Sequence, residues 1–154
     1  MKFHIAQHLS EAVDLVRRRE SKQLRAVGDN RLTGTRYDWL KHPAKMDPAG
    51  RREFATLKGS ALKTARAWAL KESMMPLFAY CYERPARKHY RWWHSWALRT
   101  TPQPMIDKAR MIQRRFENIV TYLKHRISNA ASSAVCSWTQ SRIRRRTMHR
   151  GGEA

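Results

Sequence analysis

The chain has 154 residues, enough for one domain with a sizeable core, and its 32 Lys and Arg face 12 Asp and Glu for a net charge of +20 and a pI near 11.2. An apolar content of 42% excludes a disordered tail. No run of apolar residues is long enough to span a membrane, the N-terminus MKFHIAQHLS lacks the apolar core of a secretory signal, and the charge points to a polyanion in the cytoplasm, with nucleic acid ahead of a membrane surface.

The spacing of apolar residues predicts helices through most of the chain, so the fold class is mostly α. Phe3 and Ile5 alternate around His4 and read as a strand end, which feeds a helix through Leu9, Val13, Val16 and Leu24. From Gly28 to Gly50 the glycines and prolines predict a loop pinned by Tyr37, Trp39 and Leu40. Phe54, Leu57, Ala61, Leu62, Ala65, Trp68 and Ala69 then predict one long helix. Pro76 precedes the short stretch LFAYCY, and Pro85 is placed to open a helix carrying Trp92, Trp93 and Trp96, giving two short helices before a break from Arg99 to Pro104. Met105, Ala109, Ile112, Phe116, Ile119, Val120, Leu123 and Ile127 form the clearest stripe, a last long helix that must lie against a partner surface. After Asn129 the stripe fades into an Arg-rich tail predicted to be poorly ordered.

From Arg84 to the end there are 16 Lys and Arg against three acids, which makes this the half that faces a polyanion. The candidate DNA-binding residues are Arg91, Lys108, Arg110, Arg114, Arg115, Lys124 and Arg126, because a solvated face ordinarily mixes signs and here only Asp107 and Glu117 interrupt the cations of the last helix. Trp92 and Trp96 share a helical face and read as core, while Trp93, turned away from them, is left available to stack on a base. His4 and His8 are four apart, but no third ligand stands near them, so no metal site is predicted. His89 and His94 do not share a face. Cys81 and Cys136 have no CxxC partner and read as reduced thiols. No paired carboxylates, Ser/His/Asp order or glycine-rich phosphate loop is present, so no catalytic residue is assigned from the residues themselves.

Several segments occur in a telling order: KFHIAQHL from Lys2, Glu11 to Asp14 with Val16-Arg17-Arg18, Leu32 to Tyr37 with Trp39-Leu40 and Pro43, Leu62 to Ala69 with Lys71-Glu72, and Thr121 to Ala130. Together, over residues 2 to 132, they resemble the DDE transposases of the insertion-sequence family typed by the ISL-three element. The resemblance implies an RNase H-like catalytic domain in which two Asp and one Glu hold two Mg²⁺ for strand cleavage and transfer, a clamp on the attacking and leaving oxygens. In the family the second Asp directly precedes the Lys-Phe-His run and the Glu follows the Asn-Ala stretch. Here Met1 and Ser133 stand at those places, and the first Asp would lie upstream of this chain.

The resemblance thus implies the helical insertion region and C-terminal helix of an RNase H-like domain, with most of the sheet missing. Residues 1–132 are a partial DDE domain and 133–154 a basic tail. No catalytic residue, metal ligand or cofactor is expected in this chain, although the intact family uses Mg²⁺. The expected function is that of a truncated, catalytically inactive transposase fragment that keeps some DNA binding. Its partners would be DNA, transposon ends in the intact family, together with a second copy or a full-length transposase. A small basic helical protein put to regulatory use is the alternative. A nuclease built on Asp107 and Glu117 would need the clustered acidic ligands that this sequence lacks. The fading pattern after Ser132 reads as a frameshift or decay, or more mildly as a substitution at Ser133. An apolar stripe without its sheet predicts self-association or loose packing.

Overall fold

The first helix, α1, spans Lys2–Ala26 in the computed structural model, which describes residues 1–129 apart from 42 and 101. Ile5, Leu9, Ala12, Val13 and Val16 recur at three- and four-residue spacing and are all buried, so one apolar stripe holds the helix. The stripe already includes Ile5, which corrects the strand-end reading. Three alternating residues do not set a period of two against a helical stripe that continues for several turns, and Phe3 is 75% exposed. A Schellman arrangement ends α1: Gly28 takes a φ of 82°, its N–H donates to the Arg25 carbonyl, and the Asp29 N–H donates to that of Leu24.

The predicted loop is partly helical, with α2 at Arg36–Leu40 and a 3₁₀ turn at Pro43–Lys45. Leu32 and Trp39 anchor it from full burial, whereas Tyr37 is exposed, contrary to its predicted pinning role. Helix α3, Pro48–Lys58, starts on the Asp47 carboxylate, which accepts from the Gly50 N–H at 3.3 Å, with Pro48 in the first turn.

The single helix predicted through Phe54 and Ala69 is two helices. α3 stops at Lys58, and α4 spans Lys63–Met74. The cause is tertiary: the buried Glu20 of α1 accepts from the backbone N–H groups of Lys63 and Thr64, each at 2.8 Å, and from the Thr64 hydroxyl at 2.6 Å, so it creates a helix start there. Trp39 meets Phe54 edge-on at 5.0 Å and Phe54 meets Trp68 likewise at 5.1 Å, fastening α2 and α3 to α4.

A 3₁₀ turn at Met75–Ala79 precedes α5, Glu83–Thr100, so the region of two predicted short helices is one turn and one long helix. The last predicted helix is also divided, into α6 (Gln103–Arg114) and α7 (Phe116–Asn129), at Arg115. Its stripe is buried all the same from Met105 through Leu123. α6 packs on α1 and α5, and α7 on α5 and α6. The stripe is therefore covered by the chain's own helices, which corrects the expectation of a bare face waiting for a sheet.

α4 and α6 each touch both α1 and α5, and these four helices enclose the core. No strand occurs among the described residues. Cys81 is buried, and the other cysteine, Cys136, lies outside the described residues. The predicted tail, 133–154, lies outside the described residues.

Candidate nucleic-acid interface

The second half of α1 is where positive charge concentrates. Arg17, Arg18, Ser21, Lys22 and Arg25 line one shallow groove. A single buried carboxylate, Asp14, organises its upper end: it accepts from the Arg17 guanidinium at 2.9 and 3.0 Å, pairs with Arg18 at 2.7 Å, and lies 3.8 Å from Arg36. One negative charge against three guanidiniums orders them without neutralising them. Lys22 pairs with no acid among the described residues, and Arg25 donates only to the Thr33 hydroxyl, at 3.3 Å. Beside the same stretch of α1, Arg19 and Gln23 face Lys63 and Arg66 of α4 and Gln103 of α6 across a cleft. Glu20, whose oxygens cap α4, is the one carboxylate lining that cleft.

These residues were not predicted as a site. The signal for them was the run RRRESKQLR from Arg17, five cations in nine residues, which sequence reasoning used only as part of a family likeness.

The seven residues that were predicted are not gathered into one patch. Lys108 turns toward α1, 3.4 Å from Glu11 and 3.5 Å from His8 Nδ1. Lys124 pairs with Glu83 of α5 at 2.8 Å. Arg91, Arg110, Arg114 and Arg115 are exposed and pair with no acid among the described residues, and the side chain of Arg126 lies outside them. Glu117, one of two acids considered for a nuclease, is gripped by both terminal nitrogens of Arg87 at 2.7 and 2.8 Å, and Arg87 also donates to Glu83 at 2.8 Å. Hydrogen bonds from Lys124 and Arg87 hold Glu83 below its usual carboxylate range, and that from Arg87 does the same for Glu117. Asp107 accepts from Gln103 at 2.8 Å. No group of three or more potential metal ligands occurs among the described residues.

The tryptophan assignment is inverted. Trp93 is fully buried and donates its indole N–H to the Leu70 carbonyl at 2.9 Å, while Trp92 is 52% exposed and Trp96 is partly buried. The buried face of α5 runs through Ala86, Tyr90, Trp93 and Ala97, a helical stripe whose small alanines gave a weaker signal than two large indoles.

The segments that carried the family likeness turn out to brace the scaffold. Thr35 donates its hydroxyl to the Leu32 carbonyl at 2.8 Å and accepts from the Trp39 indole at 3.2 Å. Buried Lys71 donates to the Trp39 carbonyl at 3.1 Å and lies 3.2 Å from Glu72. Thr64 receives Glu20, and Arg36 faces Asp14.

The model of the ISL3-type DDE family, described as "Transposase", matches residues 2–146, and the chain belongs to that family. It is also similar to the transposases for insertion sequence element IS1557 of two Mycobacterium tuberculosis strains, CDC 1551 / Oshkosh and ATCC 25618 / H37Rv, at 28% identity over 149 residues in each case. These alignments cover 82% of this chain and 33% of the relatives, so the chain spans about a third of their length. No solved structure matches it. No helix among the described residues is long and apolar enough to cross a membrane.

Proposed function

We propose that the chain serves DNA transposition as the helical insertion of an RNase H-like transposase domain, holding DNA through the cationic groove of α1 and carrying no strand-transfer chemistry of its own. The observation that supports this is the conjunction of family membership with a groove of four cations served by one carboxylate, Asp14. Lys and Arg set against phosphates release condensed counterions, and this drives binding that is indifferent to sequence.

The residues present do not fit the two Mg²⁺ of the intact family. Mg²⁺ takes hard oxygen ligands, above all carboxylates, and Met1 offers a thioether and Ser133 a neutral hydroxyl at the positions where the resemblance puts Asp and Glu. The family match continues past Ser132 to residue 146, which favours a substitution at Ser133 over a change of reading frame.

The test is fluorescence anisotropy with duplex DNA at rising salt. Affinity should fall by about a hundredfold between 50 and 200 mM salt if about four phosphates are engaged. In the triple variant Arg18→Gln, Lys22→Gln, Arg25→Gln, the slope of log affinity against log salt should become shallower by nearly three. Arg17 is left in place because it is mostly buried against Asp14. An unchanged slope in the variant would remove the groove from the proposal, and strand cleavage by the wild-type chain with Mg²⁺ would remove the second half of it.

A further inference from the structure

The exposed flank of α5 carries a feature that the groove on α1 does not use. Tyr80, His89, Trp92 and Trp96 form an unbroken series of ring contacts, with successive centroids 5.5, 5.7 and 5.5 Å apart. His89 is fixed from behind, its Nε2 lying 2.8 Å from the Ser73 carbonyl, so that Nε2 must carry the proton. Burial also lowers its pKa, which keeps the ring neutral beside Trp92. Trp92 is half exposed, and its indole N–H donates to no group among the described residues.

The charged side chains that follow Trp92's face along α5 are cations. Lys88, Trp92, Ser95 and Arg99 follow at helical spacing on one face, and Arg99 bends back to donate to the Ser95 carbonyl at 3.2 Å. Between Glu83 and Asp107 the sequence contains no acid at all. An apolar protein partner seated on Trp92 would have to desolvate these cations without compensation, whereas a nucleic-acid strand presents phosphates to them and an aromatic face to the indole.

We infer that Trp92 is a stacking platform for an unpaired nucleobase, with Lys88 and Arg99 set to hold the phosphates beside it. The inference rests on the DNA-binding reading above and specifies the form of DNA: a strand with a free base face, which the interior of a duplex does not offer.

The experiment uses the full chain and three probes, a single-stranded oligonucleotide carrying 2-aminopurine, the same strand with an abasic residue at that position, and a blunt duplex. The base-bearing strand should bind the wild type more tightly than the abasic one, with quenching of 2-aminopurine fluorescence. Trp92→Ala should weaken that strand alone, roughly five-fold or more, and abolish the quenching. Trp92→Phe, with a smaller ring, should retain part of both. Equal wild-type affinity for base-bearing and abasic strands overturns the inference, as does unchanged quenching in Trp92→Ala. If the Arg18, Lys22, Arg25 variant loses duplex binding while Trp92→Ala binds all three probes normally, the groove stands and the stacking site falls. If the wild type binds none of the probes, both fall.

Discussion

Glu20 shows how much one side chain decides here. Both its oxygens are spent on the start of α4, forty-three and forty-four residues further on, and a carboxylate at a helix N-terminus also meets the positive end of the helix dipole. Glu20→Ala leaves two backbone donors and a hydroxyl without their partner at a buried site, and should lower the unfolding free energy by about 2–3 kcal/mol, measured by urea titration of helical circular dichroism. Glu20→Gln should cost less, because its carbonyl oxygen can still accept. A loss below about 0.5 kcal/mol would mean that water reaches these donors freely. At this scale the sequence was only half legible. Glu20 sits among four arginines and a lysine in RRRESKQLR and reads as a surface charge, because nothing local announces a helix start so far along the chain. The same holds for Lys71, a lysine among apolar neighbours whose burial depends on a carbonyl supplied by Trp39.

Helix α5 is joined to α7 through Arg87, which bridges Glu83 and Glu117, while its guanidinium lies 5.7 Å from the Phe116 ring centre and Lys124 closes the set on Glu83. Both carboxylates titrate below their usual value in the fold, so the unfolded chain takes up protons more readily than the native one as pH falls. Their contribution is therefore complete above the ordinary value of 4.5 and is lost as pH drops through the lower folded values. Arg87→Ala should lower the Tm at pH 7, and the gap between variant and wild type should close as the pH is taken well below 4. A gap that persists at low pH would assign the effect to packing on Phe116 instead.

Element boundaries explain what periodicity can and cannot report. Arg115 leaves the helix for one residue, yet Asn118 and Ile119 bond straight back to its carbonyl, and the buried series Ile112, Phe116, Ile119 keeps its phase. A break that preserves phase is invisible to a search for spacing. The break at Gly59 was hidden differently, since Leu57, Ala61 and Leu62 continue the pattern although Ala61 is exposed. The helical class, the end of α1 at Gly28 and the apolar stripes were legible because each is written locally in residue spacing or a left-handed glycine. The cationic groove was not read as a site, because three of its arginines and lysines looked like the ordinary outer face of a helix.

Across the molecule, the helices share one core in which residues from Ile5 to Leu123 take part. With the late stripe covered from within, the described helices should unfold together: circular dichroism and tryptophan fluorescence should give coincident transitions on heating, and separate midpoints would restore the loosely packed alternative. The arrangement also sets an order of events during synthesis. The apolar side of α1 rests on α4 and α6, so its covering is incomplete until Ile112 has followed it. At ordinary elongation rates that is a wait of roughly 5–20 seconds. For that interval an amphipathic helix rich in arginine keeps part of its apolar side open to a chaperone or a second nascent chain, and its burial waits on α6.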